Sequence, residues 1–126
     1  MIFSKNNNSI RVLLADDSAV VRRPIRALLE KEPSIQFVGE AGSLAETIEM
    51  VGQLQPDLVI LDMHMPDDQR FTPGALRIAL SDTEVIATSV YMDDETKIRA
   101  DAVGARKFLD KSELGHVLIP AILSLK

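Results

Sequence analysis

The chain has 126 residues, 46% of them hydrophobic and 26% charged, with a formal net charge of −5, a balance typical of one globular domain that can fold alone. It has no cysteine and only two histidines, which excludes a disulfide framework and argues against a typical zinc site. The acidic charge argues against direct nucleic-acid binding, and the longest apolar stretch, residues 117–125, is far shorter than the roughly 20 residues of a membrane span.

The N-terminal segment differs in composition from the chain that follows it. Residues 1–9 contain one lysine and three consecutive asparagines without an apolar core, so we interpret them as a disordered leader and not as a signal peptide. The domain is then expected to span residues 10–126 and to be cytoplasmic. Its first predicted strand is the apolar run Ile10–Ala15, and Asp16 and Asp17 follow it directly.

Two helical patterns flank the predicted second strand. Residues 18–32 place their apolar side chains on one face of a 3.6-residue period, which predicts the first helix. Residues 35–41 predict the second strand. Ser43 and Glu46 have the spacing of a capping box, which predicts the start of a second helix that runs to about Leu54.

The stretch Leu58–Asp62 is the strongest strand signal in the chain. Its four apolar residues in a row run straight into a carboxylate. Such a run is typical of a strand buried on both faces, as in parallel sheets covered by helices. We therefore expect Asp62 to lie at the rim of the core, held by rigid scaffold and open to a crevice.

The same alternation continues to the C-terminus. The predicted elements are a third helix over 72–80, a fourth strand over 84–89, a fourth helix from Asp93 or Asp94 to Gly104, a short edge strand over 106–109 and a last helix over 114–125. Five strands alternating with five helices predict a doubly wound α/β domain with a parallel sheet.

Chemically useful side chains follow several of these strands. The carboxyl ends of parallel strands share one rim, which here should gather Asp16, Asp17, Asp62, Ser89 and Lys111. Clustered carboxylates repel unless a cation neutralises them, and oxygen ligands suit Mg²⁺. A lysine and a hydroxyl can hold phosphoryl oxygens, and an aspartate can attack phosphorus. The pattern predicts phosphoryl transfer to Asp62 with a divalent ion.

These residues resemble a known signature. Asp16-Asp17, the run 58–66, Ser89 and the run 108–111, in this order, are similar to the receiver domains of bacterial two-component response regulators, the CheY-like superfamily. The resemblance covers about residues 10–125. It implies a flavodoxin-like sheet in the order 2-1-3-4-5. It also implies that Asp62 accepts a phosphoryl group from a phosphohistidine of a sensor histidine kinase or phosphotransfer protein.

The resemblance also implies a set of Mg²⁺ ligands. Asp17 and Asp62 would bind the ion directly, and Asp16 would act largely through water. The main-chain carbonyl of His64 would be the third protein ligand.

A switch is implied at the other strand ends. Ser89 and Lys111 would each bind a phosphoryl oxygen, and Phe108 would change rotamer with Ser89. The surface of the fourth helix, fifth strand and fifth helix would then respond, with a homodimer as one possible output.

Hydrolysis of the aspartyl phosphate needs a water in line with the bond between Asp62 and phosphorus, and the side chains best placed to crowd that water are His64 and Tyr91. We therefore predict slow dephosphorylation, with His64 and Tyr91 as modulators.

One departure from the commonest receiver pattern bears on the output. Ser112 follows Lys111 where many receivers have proline, and Lys-Ser is frequent in receivers joined to LuxR-type helix-turn-helix domains. No such domain is present in this sequence. We expect a stand-alone receiver or the N-terminal part of a transcriptional regulator. Gly115 and Pro120 weaken the pattern of the last helix and put the usual output face in question.

Other interpretations stay open at this point. Asp16 and Asp17 could simply cap the first helix, Ser89 and Phe108 could be ordinary sheet residues, and Lys111 could be a solvated lysine.

The sequence also has partial features of two other kinds of protein. An aspartyl-phosphate phosphohydrolase commonly carries a second aspartate two residues after its nucleophile, where this chain has His64. Asp62-x-His64 also opens a cobalamin-binding motif, but Asp67 occupies its glycine position. His116 is expected to be a surface residue.

Overall fold

The computed structural model describes residues 9–126, so residues 1–8 of the predicted leader lie outside the described residues. The described chain forms one five-stranded sheet with the strand order β2-β1-β3-β4-β5, and every neighbouring pair is parallel. The predicted doubly wound fold and strand order are therefore confirmed. The strands are β1 Ile10–Ala15, β2 Ile35–Ala41, β3 Leu58–Asp62, β4 Glu84–Ser89 and β5 Lys107–Asp110.

Helices connect successive strands and cover both faces of the sheet. They are α1 Ala19–Glu30, α2 Leu44–Leu54, α3 Pro73–Ala79, α4 Asp94–Ala102 and α5 Leu114–Leu123, with short 3₁₀ turns at Asp68–Arg70 and Lys111–Glu113. One buried cluster joins α1 and α5 to the sheet, and a second joins α2, α3 and α4 to its other face. No helix among residues 9–126 is both long and apolar enough to cross a membrane.

The central strand β3 is buried along its whole length. Its alternate residues enter both apolar clusters, Leu58 and Ile60 on one face and Val59 and Leu61 on the other. Burial of both faces explains why this strand lacks the polar alternation of a half-exposed strand. It also fixes the direction in which Asp62 leaves the core.

Polar side chains define where several helices begin. Ser18, Ser43, Thr72 and Asp93 each accept a hydrogen bond from the main-chain N–H three residues later, as N-cap residues do. The predicted capping box differs in its second half, because the Glu46 carboxylate accepts from the N–H of Gly42 at 2.6 Å.

Some element boundaries differ from the sequence-based expectation. Helix α1 ends at Glu30, two residues early, where Lys31 closes the last turn. Strand β5 begins one residue later than predicted. Arg106 does donate its main-chain N–H to the carbonyl of Val85, but the regular pairing with β4 starts at Lys107.

The last helix forms despite its unfavourable residues. Pro120 lies inside α5 and is exposed, as is Gly115. Leu114, Leu118 and Ile122 are buried along the predicted stripe. Packing of this stripe against β1, β3 and α1 compensates for the weak helical propensity. His116 is exposed, as expected.

Candidate functional site

Three carboxylates meet where the strand order reverses between β1 and β3. Asp62 is the last residue of β3 and Asp16 follows β1, and each is only 2% exposed. Asp17 is exposed at the mouth of the same crevice. One carboxylate oxygen from each of the three lies within 4.8 Å of the other two. Open α/β sheets bind ligands at such a switch point.

Lys111 brings a positive charge into this acidic group. Its Nζ lies 2.6 Å from Oδ2 of Asp16 and 3.0 Å from Oδ2 of Asp62, and its side chain is 14% exposed. Burial alone would lower the pKa of the Lys111 ammonium, but the two carboxylates outweigh burial and raise that pKa. The ammonium is therefore fully charged at neutral pH.

The Asp62 carboxylate is held at both oxygens. Oδ1 accepts the main-chain N–H of His64 at 3.0 Å, and Oδ2 faces Lys111. Burial nevertheless raises the pKa of Asp62 above its ordinary value, because lost solvation outweighs the N–H and the ammonium, and Asp16 adds repulsion. The ion pair favours the charged form of both groups, but it outweighs burial only at Lys111, which has two carboxylate partners, and not at Asp62.

The charge and chemistry of the crevice suit a hard divalent cation. Three ionised carboxylates and one ammonium leave two negative charges uncompensated. The donor atoms are oxygens alone, which Mg²⁺ and Ca²⁺ prefer, and Asp17 faces solvent, which leaves room for the waters that Mg²⁺ retains. The carboxylates of Asp16, Asp17 and Asp62 could therefore hold a metal ion.

Ser89 lies one residue beyond the level of Asp62 in the sheet. Thr88 pairs with Asp62 across the β3–β4 register, so Ser89 comes next at the same rim. Ser89 is 0% exposed, and its Oγ accepts the main-chain N–H of Tyr91 at 2.9 Å. Phe108 pairs with Ala87 on β4 and packs, partly buried, against the cluster under α4.

The two predicted modulators contact each other. The rings of His64 and Tyr91 meet edge to face, with centroids 5.1 Å apart and planes at 83°, a favourable arrangement for aromatic rings. Tyr91 is 59% exposed. His64 Nε2 is buried without a hydrogen-bond partner among the described residues. The sequence placed both side chains near the crevice but gave no signal that they would touch.

Sequence reasoning missed the arginine that holds the carbonyl of Asp16. Arg22 on α1 donates to the main-chain oxygen of Asp16 at 2.5 Å and to Glu40 on β2 at 2.8 Å. It thereby ties the turn after β1 to the neighbouring strand. Its position in the second turn of an amphipathic helix was the available signal, since that turn lies over the strand ends.

Sequence reasoning also missed the role of Asp67. Its two carboxylate oxygens accept the main-chain N–H groups of Leu44 and Ala45 at 2.8 and 3.0 Å. Partial desolvation would raise the pKa of Asp67, but these hydrogen bonds outweigh it and lower that pKa. Asp67 thus fastens the loop after β3 to the start of α2.

Fold and site together define a doubly wound α/β domain with an acidic, oxygen-lined crevice at its switch point. The sequence model described as the response regulator receiver domain matches residues 12–122. This range contains Asp16, Asp17, Asp62, Ser89 and Lys111. The chain belongs to the response regulator receiver domain family, which favours a receiver over the phosphohydrolase and cobalamin alternatives.

The chain is similar to receiver regions of longer proteins. It is 40% identical over 106 residues to protein-glutamate methylesterase/protein-glutamine glutaminase 3 of Geobacter sulfurreducens, covering 84% of this chain and 29% of that protein. It is 33% identical over 114 residues to the DNA-binding transcriptional activator DevR/DosR of Mycobacterium tuberculosis, covering 90% of this chain and 52% of that protein. The chain thus spans about half or less of the length of these relatives.

Solved structures show the same architecture. The receiver domain of the response regulator NarL from Mycobacterium tuberculosis has a TM-score of 0.83 at 25% identity, with 94% of this chain and 97% of that chain covered. The response regulator domain of Thermotoga maritima CheB has a TM-score of 0.79 at 26% identity, with 92% and 95% covered. The chain matches less than a third of the length of the methylesterase relatives.

Proposed function

We propose that this domain is a phosphorylation-switched receiver in which Asp62 is the phosphoacceptor. The donor is a phosphohistidine of a sensor histidine kinase or phosphotransfer protein. A bond forms between an Asp62 oxygen and phosphorus, and the phosphorus–nitrogen bond to histidine breaks. The observation that carries this proposal is the buried Asp62 carboxylate, fixed by the His64 N–H and the Lys111 ammonium beside two further carboxylates.

Mg²⁺ is the cofactor that this arrangement fits best. Asp17 and Asp62 would hold it directly, Asp16 through water, and the main-chain carbonyl of His64 as the third protein ligand. When bound, the ion offsets the negative charge of the carboxylates and of the incoming phosphoryl oxygens. We place the protein in the cytoplasm on the basis of its membership of the response regulator receiver family.

Lys111 and Ser89 would complete the acceptor site. The Lys111 ammonium already lies between Asp16 and Asp62 and can pair with one phosphoryl oxygen. The buried Ser89 hydroxyl accepts the Tyr91 N–H through its oxygen and can donate its own hydrogen to another phosphoryl oxygen. The domain would then catalyse only its own phosphorylation and dephosphorylation, and no reaction on another substrate.

The direct test is labelling by a small phosphodonor. Incubation with acetyl phosphate or phosphoramidate and Mg²⁺ should add one phosphoryl group, detected by intact mass. The adduct should be cleaved by hydroxylamine, as an acyl phosphate is, and should not form when EDTA removes the metal. An unlabelled protein, or a label that resists hydroxylamine, would contradict the proposal.

Phosphorylation should alter the surface formed by α4, β5 and α5. Phe108 on β5 pairs with Ala87, two residues before Ser89 on β4, and we expect its ring to follow when Ser89 moves toward a phosphoryl group. We expect amide chemical shifts in α4 and β5 to change on adding beryllofluoride with Mg²⁺. Changes restricted to the loops around Asp62 would show that the switch is uncoupled here.

This surface is also where we place the output. Ile98 on α4 is an exposed apolar side chain of this surface, and Val90 and Met92 are exposed in the loop that leads into α4. A homodimer through α4, β5 and α5 is one output that it could support. We propose no direct nucleic-acid contact and no membrane contact for this domain.

The Tyr91→Ala protein should lose its phosphoryl group faster than the wild type. Tyr91 packs edge-on against His64, and together the rings limit access of water to the acceptor. Met92→Ala is the matched control, because Met92 is the next exposed apolar residue. The decay of phosphorylated protein, followed by intact mass, measures both rates. If Tyr91→Ala and the wild type lost the phosphoryl group at equal rates, a shielding role of Tyr91 would be ruled out.

The Asp17→Asn protein should bind Mg²⁺ more weakly yet unfold at a higher temperature without metal. Removing one of three neighbouring charges relieves repulsion, and the gain should stay below about 1 kcal/mol because Asp17 is exposed. Metal titration and thermal melts in EDTA measure the two effects. No gain in stability together with unchanged metal affinity would count against the three-carboxylate site.

A further inference from the structure

The peptide group between Met63 and His64 is bonded at both ends to functional parts of the molecule. Its N–H, from His64, donates to Oδ1 of the acceptor Asp62 at 3.0 Å. Its carbonyl, from Met63, accepts a hydrogen bond from the guanidinium of Arg99. Arg99 lies on α4. One planar group therefore stands between the phosphoacceptor and the helix of the proposed switch surface.

The surroundings of this peptide restrict its motion. The N–H of Met63 donates to the carbonyl of Thr88 on β4 at 2.9 Å, which fixes the chain just before the peptide. The Arg99 guanidinium also lies 4.0 Å from Oδ2 of Asp68, in the loop after β3. Arg99 thus has two partners in that loop, one carbonyl and one carboxylate.

A peptide group transmits changes because it is planar and polarisable. Its N–H and C=O point in opposite directions and rotate together. A cation at the carbonyl polarises the amide and strengthens its N–H as a donor. Arg99 therefore strengthens the His64 hydrogen bond to Asp62, and a change at Asp62 is felt by Arg99 through the same group.

We propose that Arg99 is a positioning residue that couples Asp62 to α4 through the Met63–His64 peptide group. Its role in signalling rests on the proposed function. Conversion of the Asp62 carboxylate to an acyl phosphate reduces its strength as an acceptor for the His64 N–H. The peptide then turns, and the guanidinium shifts from Met63 toward Asp68. This route to α4 is separate from the one through Ser89 and Phe108.

The structure provides room for that shift. A pocket of 170 Å³ opens beside Arg99, and Asp62, Met63 and Asp68 are among its lining residues. Its remaining walls are mostly apolar and come from α2, β3, α3 and the segment between β3 and α3, with one residue just after α4. Movement of the guanidinium within this pocket requires no rearrangement of the buried core.

The coupling can be tested without any phosphoryl group. Amide chemical shifts of α4 are compared in four unphosphorylated proteins, wild type, Asp62→Asn, Arg99→Gln and the double variant, as a double-mutant cycle. We expect Asp62→Asn to move the α4 signals in the wild-type background and by at most about half as much in the Arg99→Gln background. Equal effects in both backgrounds would overturn the proposal.

The His64 amide reports the positioning step directly. Its proton signal should move upfield in Arg99→Gln, because its hydrogen bond weakens, and Arg99→Lys should restore part of the shift. Arg106→Gln is the matched control, since Arg106 pairs with Glu84 on the sheet at 3.2 Å and should leave His64 unchanged. Asp68→Asn should also leave the chemical shift of the His64 amide proton largely unchanged. An unmoved His64 signal in Arg99→Gln would refute the positioning role.

Beryllofluoride then separates this inference from the proposed function. With Mg²⁺ and beryllofluoride, Arg99→Gln should keep the β5 response and lose at least about half of the α4 response. A full α4 response in Arg99→Gln would overturn the coupling while leaving the receiver function intact. If the wild type showed neither a response nor a label, the proposed function would be refuted. The double-mutant cycle on the unphosphorylated proteins would still test the coupling through Arg99.

Discussion

The Asp62→Asn protein should take up no phosphoryl group from acetyl phosphate or phosphoramidate under conditions that label the wild type fully. The amide has nearly the shape of the carboxylate but is not a nucleophile toward phosphorus. Asp62 alone among the site carboxylates ends the central strand and faces both Lys111 and the His64 N–H. Intact mass after a fixed incubation with Mg²⁺ measures the loss.

A matched carboxylate separates acceptor chemistry from a general change in charge. Asp101 is exposed on α4, so Asp101→Asn removes one negative charge outside the crevice and should label like the wild type. Thermal melts of both variants verify that they are folded. Labelling of Asp62→Asn at the wild-type level would place the acceptor elsewhere.

The sheet and the position of Asp62 could be predicted because they depend on local patterns. An unbroken apolar run signals burial on both faces, and the parallel order then brings all strand ends to one rim. Asp62, Ser89 and Lys111 are each placed by the end of a single strand. Their convergence follows from topology alone, without knowledge of any particular contact.

The sequence does not indicate which of Asp16 and Asp17 is buried. Asp16 and Asp17 are chemically identical neighbours, but the structure buries Asp16 against Lys111 and exposes Asp17. Successive residues of an extended chain point to opposite sides, so one of the two had to turn outward. Which one does so depends on how the chain turns into α1.

Contacts between distant parts of the chain were beyond sequence reasoning. Arg99 reaches the carbonyl of Met63 across 36 positions, and His64 meets Tyr91 only because β3 and β4 are neighbours. No periodicity or cap signals these pairs, since they are set by packing of α4 and the loops over the sheet. The start of β5 was missed for a related reason, because an edge strand pairs on one side only.

The Lys111→Met protein should be less stable than the wild type by about 3 kcal/mol at neutral pH without metal. Methionine keeps much of the length of lysine, so the main loss is the ammonium. The carboxylates of Asp16 and Asp62, each 2% exposed, would face each other with no positive partner. Urea unfolding measures the loss. Lys107→Met, on the neighbouring strand β5, is the control and should change stability by no more than about 0.5 kcal/mol.

The pH dependence of that loss identifies its electrostatic origin. The pKa of Lys111 is raised above its ordinary value of 10.5, so its stabilising charge is fully present at neutral pH and is lost only as pH rises through the folded-state pKa. The pKa of Asp62 is raised above 3.8, and removal of the ammonium raises it further. The destabilisation should therefore shrink as pH falls toward that pKa, because protonation removes the uncompensated buried charge.

A second substitution provides the matching rescue. Asp16→Asn in the Lys111→Met background removes one of the two facing charges. It should restore part of the lost stability at neutral pH and a smaller part at acidic pH. A loss that stays constant with pH and is not rescued would mean that Lys111 acts through packing of its aliphatic stem. Rescue that fades with acid would instead show that the Lys111 charge stabilises the buried carboxylate pair.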